Sequence, residues 1–455
     1  MSAFRNYAAE SADSENQNVE AVEMPEDETA TSELAEATAE HTELAAEDDV
    51  AEDLAGEQEQ VEDLAEAVAQ ESAGLSPAAA RLLSKSLTRI LGAKTTNKII
   101  ATENYSSSRS SQEEAKQIAL EGIKETLKQF WEAIKAQLKK FYSKAKTYLV
   151  KAFSAARKLK ERAEKIQAKA SDTTGTIEDK SFSFGQTKTI AVAGKYNDPK
   201  VVIDGLASVL GWMKENIKVQ KTQQYESILE NVQSKLEQEI KNAGKTGTAG
   251  DLTQIRAELS RAGTNNIAPL KTGTIEPKMK EQYAGGDMAD VEISESLPGG
   301  KALISIDVKA TDDAIEVAKS IKNSRLILAN DKYSPREVTE GDVKTLTVSQ
   351  VDSVCDNVIE IAEISYDYEK AWERMEKFQS KLERDVDSIV REVHSDNKDT
   401  SNATEERMVR TYAESFTAAV RRRVSFETGM ISYALNLGSA MLNYAERSLA
   451  QHKAK

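Results

Sequence analysis

The feature that most constrains this chain is where its charge sits. Residues 1–75 contain 23 acidic side chains and one basic one, Arg5, so this segment carries −22 of a total of −16. Residues 76–455 therefore carry +6. A stretch with so much like charge and only scattered aliphatics buries too little apolar surface to offset its chain entropy, which predicts disorder over 1–75. Within it, the Glu/Ala/Leu runs at Glu33–Ala46 and Val61–Gln70 are good helix formers and are expected to form transient helix.

The rest of the 455 residues is long enough for a substantial core. A short basic region, Leu75–Lys98, opens with Ser76-Pro77, a favourable N-cap and N1 pair. Tyr105–Ser111 (YSSSRSS) reads as a linker. Gln112–Ala170 is then the most regular stretch. Ile123, Leu127, Trp131, Ile134, Leu138, Phe141, Ala145, Leu149, Ala152, Ala156, Leu159, Ala163 and Ile166 recur in steps of three and four, which places them along one helix face. LKQFWEAIKAQ at Leu127 repeats as LKKFYSKAKTY at Leu138, with weaker copies from Leu149 and Leu159. An 11-residue period nearly closes three helical turns. The opposite face is cationic, since Lys116–Lys160 holds 12 Lys/Arg against three Glu.

Further along, Phe182/Phe184 and Ile190/Val192 alternate around Gly185-Gln186 and predict a short hairpin. A helix is expected from Pro199 to about Lys241, then loops over Asn242–Asp287 with one short helix near Leu252–Arg261. A stronger hairpin signal is Val291 and Ile293, then Leu297-Pro298-Gly299-Gly300, then Ala302, Ile304, Ile306 and Val308. Apolar residues from Val351 to Val393 recur every 3.5 residues, a coiled-coil period. A second long helix over Thr404–Ala450, after the short connector His394–Asn402, is expected to pack antiparallel to it. The fold class is mainly α: long helices in an antiparallel helical or coiled-coil body with small β-hairpins, preceded by a disordered acidic tail. Four regions are expected: the tail 1–75, a basic helix and linker 76–111, the basic amphipathic helix 112–170, and a long-helix body 171–455.

Catalytic chemistry has little to stand on. The three histidines, His41, His394 and His452, fall in the tail, at a helix end and at the terminus, where solvent exposure and no shared metal site or triad are expected. Ala243-Gly244-Lys245-Thr246 has Glu239 where a phosphate-binding loop needs glycine, and Gly194-Lys195 is followed by Tyr196 where the loop needs Ser or Thr. Cys355, the only cysteine, lies on the apolar face of its helix and is expected to be a small core residue; a disulfide within the chain is impossible. No catalytic, cofactor-binding or metal-binding residue is assigned. MSAFRNYAAES lacks the apolar core of a secretory leader, and Thr428–Ala445, 18 uncharged residues with two Asn and two Gly, reads as a buried bundle helix rather than a membrane span.

The one functional constellation is the cationic helix, with Lys124, Lys128, Trp131, Lys135, Lys139, Lys140, Phe141, Lys144, Lys146 and Lys151 as candidate contacts. Three readings remain open: a solvated face on a helix packed into the body, a surface that neutralises nucleic-acid phosphates without sequence preference, or an interfacial membrane helix. Arg421-Arg422-Arg423 adds a short basic spot.

Acidic N-terminal segment, basic remainder and Lys/aromatic amphipathic stretch together resemble the internal head proteins of large T4-like and giant tailed phages. In that family a prohead protease cuts after Glu, with a small or apolar residue two positions before it. Matching triplets are Ala69-Gln70-Glu71, Ser111-Gln112-Glu113 and Ala119-Leu120-Glu121, with Leu34-Ala35-Glu36 and Leu64-Ala65-Glu66 as aliphatic variants. Glu71, Glu113 and Glu121 are therefore candidate processing sites, and every acidic charge of the tail lies at or before Glu71. The resemblance implies a precursor made in the host cytoplasm, kept soluble and masked by its acidic segment, then processed and packaged inside the capsid with DNA, and ejected with it in some phages. The implied partners are capsid and core proteins, the prohead protease and packaged DNA. Host membrane and self-association through the long helices are further options, with a scaffold lost from mature heads as the alternative role.

Overall fold

In the computed structural model, residues 28–71, 74–91, 109–218, 270–275, 277–284, 289–309, 322–331, 341–395 and 403–454 are described, with 227, 230, 231, 234, 316, 320 and 338 as isolated positions. The protein is mainly helical with small antiparallel strands. Its helices are α1 (Glu28–Gln70), α2 (Pro77–Leu91), α3 (Arg109–Ser171), α4 (Thr187–Ile190), α5 (Pro199–Asn216), α6 (Pro277–Ala284), α7 (Val348–Ser395) and α8 (Ala403–Leu449). The described residues fall into two compact units, one being Leu44–Lys144 and the other the residues before Leu44 together with those from Ala145 onward.

α1 departs most from expectation. Residues 28–70, predicted to be disordered with transient helix in two runs, form one helix of 43 residues; residues before 28 lie outside the description. The reason is an apolar stripe thinned to one residue per turn or two. Leu34, Ala37, Leu44, Ala51, Val61 and Val68 are all buried, while most carboxylates point elsewhere. Such a helix does not hold in water on propensity alone; packing of its apolar side supplies the stability.

In the unit Leu44–Lys144, Val61 and Val68 of α1, Leu83 and Leu87 of α2, and Ala119, Ile123 and Leu127 of α3 form one core. Gly74 makes the α1–α2 turn possible. Its φ is +86°, and a Cβ there would sit 2.6 Å from the Gln112 carbonyl carbon. Ser76 caps α2 as its sequence suggests, its Oγ accepting from Ala79 N at 3.2 Å.

In the other unit α7 and α8 run antiparallel, since Leu346 meets Ser448 while Tyr368 meets Glu427. α3 runs antiparallel to α7, with Lys146 on Glu376, Lys160 on Glu363 and Gln167 on Asp356. It runs parallel to α8, with Tyr148 donating to Thr428 O and Arg162 to Asn443. Gly438 permits this closeness, because a Cβ would lie 3.1 Å from Leu159 and 3.4 Å from Val358. The uncharged run Thr428–Ala445 is buried in this bundle, and among the described residues no helix is long and apolar enough to cross a membrane. α5 is capped by Asp198, which accepts from Lys200 N, and buries Leu206, Leu210, Trp212 and Met213. The helix predicted from Pro199 is described as far as Asn216; its extension toward Lys241 lies largely outside the described residues, and the short helix near Leu252–Arg261 wholly so.

The strands are β1 (Thr173–Ile177), β2 (Ser181–Phe184), β3 (Ala289–Ile293), β4 (Lys301–Val308), β5 (Arg325–Asn330), β6 (Gly341–Lys344) and β7 (His452–Ala454). The hairpin predicted at Leu297–Gly300 forms, with Val291 opposite Ile306 and β5 added on the far side of β4. Ala302, Ile304 and Ile306 pack with Val291 and Ile293. The hairpin predicted around Gly185-Gln186 does not. Phe182 and Phe184 alternate because β2 pairs with the distant β6, while Thr187–Ile190 turns into α4. Period-2 patterning reports a strand but not its partner.

Candidate processing site and cationic helix

α3 positions its repeat so that the first residue of every copy is inside: Leu127, Leu138, Leu149 and Leu159 are 5%, 2%, 1% and 4% exposed. The aromatic positions follow. Phe130, Trp131, Phe141, Tyr142 and Phe153 are buried, so Trp131 and Phe141 are core residues and not surface contacts.

The cations separate by position. In the unit Leu44–Lys144, Lys124, Lys128, Lys139 and Lys140 are exposed and make no ion pair within 4 Å among the described residues. Lys135 is half-buried and pairs with Glu132 at 2.7 Å, and Lys144 is half-buried with a polar interaction of its own. From Ala145 onward most cations of α3 are matched. Lys146 meets Glu376 at 3.2 Å, Arg157 meets Glu369 at 3.9 Å, Lys160 meets Glu363 at 2.8 Å, and Arg162 meets Glu446 at 2.8 Å. Lys151 pairs with Glu40 at 2.9 Å and Glu36 at 3.5 Å, and Lys158 pairs with Glu33. The hydrogen bond from Lys151 to Glu40 raises the lysine pKa. Burial pushes the Glu33 carboxyl up, but hydrogen bonds from Lys158 and Ser154 outweigh it and leave the group below its ordinary value.

The three candidate cleavage positions are not equivalent. Glu71 is exposed, sits just past the end of α1 and is not helical. Its carbonyl accepts from Lys116 Nζ at 2.9 Å, and the carbonyl of Ala69 accepts from the same ammonium at 2.7 Å. Glu113 and Glu121 are exposed too, but both lie within α3. The approach of the Gly74 turn to Gln112 brings Glu71 and Glu113 onto neighbouring segments, with Leu75 N donating to Gln112 O at 2.9 Å.

Buried polar groups make a second cluster that sequence reading missed. Arg423 Nε donates to Glu427, Tyr368 Oη donates to the other Glu427 oxygen at 2.6 Å, and Arg423 Nη2 donates to Asn216 O at 2.9 Å. Arg421 and Arg423 are 3% and 8% exposed and Arg422 is half-buried, so two of the three arginines are interior and the triplet is not the basic surface spot it resembles. Two histidines also depart from expectation. His41 packs edge-on to Tyr148 with ring centroids 5.3 Å apart, and burial lowers its pKa to about 4. His452 is buried in β7 with Nε2 2.8 Å from Leu346 O. His394 is in α7 near its end.

Cys355 is buried as expected, and burial pushes its thiol up to about 12, which keeps it protonated and unreactive. Gly194-Lys195 closes a two-residue turn on Val192, with Ala193 and Gly194 at positive φ. The Gly244-Lys245 segment lies outside the described residues. Among the described residues, no three His, Cys, Asp or Glu side chains gather to hold a metal ion.

The described residues form a long-helix body with a cationic helix, an acidic partner helix and a buried Arg423–Glu427–Tyr368 network. The chain belongs to the phiKZ-like phage internal head proteins, whose family model matches residues 36–447. No curated protein and no solved structure matches it.

Proposed function

We propose that this internal head protein is made as a precursor, cut after Glu71 during head maturation, and packed in the head against DNA as a structural component. The observation that carries the reading is the contrast among the three Glu motifs. A protease binds its substrate as an extended strand, and only the Glu71–Ser72 bond leaves a residue already outside a helix. Cutting after Glu113 or Glu121 requires several turns of α3 to unwind, together with the burial of Ala115, Ala119 and Ile123. The cut also moves the charge: all 23 acidic groups of residues 1–75 go with the N-terminal piece, and the remainder becomes weakly basic.

The DNA part of the reading is supported by the exposed, unmatched Lys124, Lys128, Lys139 and Lys140. With Trp131 and Phe141 in the core, the contact is purely cationic, which suits phosphate neutralisation better than membrane insertion. Mass spectrometry of purified particles tests the cleavage. The expected result is a new N-terminus at Ser72 and no peptide spanning Glu71–Ser72; an intact junction in mature particles overturns it.

A further inference from the structure

A cut after Glu71 would break one peptide bond, while α1 is held by contacts elsewhere along its length. Within the unit Leu44–Lys144, α1 contributes Val61 and Val68 to the core shared with α2 and α3, 0% and 4% exposed. Gln137 of α3 donates to both the side chain and the backbone carbonyl of Glu47. Within the other unit, Leu34 and Ala37 are buried, and Glu33, Glu36 and Glu40 meet Lys158 and Lys151. Ser154 Oγ donates to Glu33 at 2.7 Å, Asn436 Nδ2 donates to Thr38 Oγ1 at 3.1 Å, and His41 lies on Tyr148. None of these contacts depends on the peptide bond after Glu71.

We propose that α1 is a docked subunit in waiting: after cleavage, which the preceding reading places at Glu71, the severed acidic helix stays bound to the surface of α3 and α8 that carries Lys151, Ser154, Lys158, Tyr148 and Asn436. The occupant is this chain's own residues 28–71. Charge complementarity argues for it, because residues 28–71 hold 16 acidic groups and no basic one, and the two lysines under their first turns take three of them. Opposing it are the lost tether and the self-repulsion of the helix, which make the bound state sensitive to salt. Processing and loss of the acidic segment are then separate events, and the cationic surface at Lys151 and Lys158 opens only at the second.

The test uses the full chain with a site-specific protease sequence placed between Glu71 and Gly74. After complete cutting, gel filtration at about 0.15 M salt is expected to carry the N-terminal fragment and residues 74–455 in one peak at equal molar amounts. K151E/K158E, checked by circular dichroism before cutting, is expected to release the fragment at least tenfold more, as is about 1 M salt. A fragment that elutes alone from the cut protein with Lys151 and Lys158 intact overturns the proposal, and co-elution that the double reversal leaves unchanged overturns the assigned surface. The engineered cut is independent of the phage protease, so an intact Glu71–Ser72 junction in particles sinks the processing reading without touching this result.

Discussion

α3 carries the same repeat through both compact units, and its two stretches have opposite electrostatic fates. Copies at Leu127 and Leu138 keep exposed, unmatched lysines at 128, 139 and 140, whereas beyond Ala145 cations at 146, 151, 157, 158, 160 and 162 each face a carboxylate. Apolar positions do not differ: Leu127 and Leu149 are both inside. A cationic face is therefore a property of the sequence, but its availability is a property of the neighbours. α7, α8 and the start of α1 bring the carboxylates that neutralise the second stretch, whereas in the first stretch Lys124, Lys128, Lys139 and Lys140 make no ion pair among the described residues.

The largest expected effect breaks the better-paired unit at its interior. Glu427→Ala removes the buried carboxylate that Arg423 and Tyr368 share, and the unit from Ala145 onward should lose about 3–5 kcal/mol, read as a drop in its unfolding midpoint in denaturant. A transition unchanged within about 0.5 kcal/mol shows that the Glu427 network contributes nothing. Next, Leu127→Ala and Leu149→Ala should each cost about 2–5 kcal/mol, because each removes a fully buried isobutyl group. If the two units unfold separately, each substitution shifts a different transition; one common shift would make the chain a single cooperative block.

A smaller effect concerns pH. His41 has a folded pKa of about 4 against about 6.5 unfolded, so between these values the unfolded chain binds more protons and stability rises with pH. The contribution is whole above pH 6.5 and is lost as pH falls toward 4. It should amount to about 1–3 kcal/mol, and His41→Gln should flatten that part of the stability profile. Glu33 adds to the same direction, since its lowered pKa stabilises the fold above the ordinary carboxylate range and fails as acid protonates it.

Least disruptive are the exposed charges. Lys160→Ala removes a half-exposed, solvent-screened pair and should leave the unfolding midpoint almost where it is. Replacing Lys124, Lys128, Lys139 and Lys140 by Gln should leave stability within about 0.5 kcal/mol. If these lysines meet phosphates, the salt dependence of duplex DNA binding should weaken by about 0.9 in log–log slope for each. An unchanged slope removes them from the interface and levels the difference between the two stretches.

Much of the body was legible because its signals are local. The 11-residue repeat places Leu127, Leu138, Leu149 and Leu159 on one face whatever packs there, and Leu297-Pro298-Gly299-Gly300 closes β3 onto β4 within reach of the chain. Cys355 inside, α7 beside α8, and Glu71 at the charge boundary were readable in the same way. What tertiary structure alone decided is partnership. The spacing of Leu34, Ala37, Leu44, Ala51, Val61 and Val68 was present in the acidic segment, yet so sparse a stripe becomes a helix only when α2, α3 and α8 cover it and lysines answer its carboxylates. Likewise, nothing near Phe182 names β6 as its neighbour, nothing in Arg421-Arg422-Arg423 says that its first and last members are interior, and nothing in a run of lysines says which are already taken. Burial and ion pairing are sums over elements far apart in the chain, so residue type and period set what each segment offers, and the fold sets what is accepted.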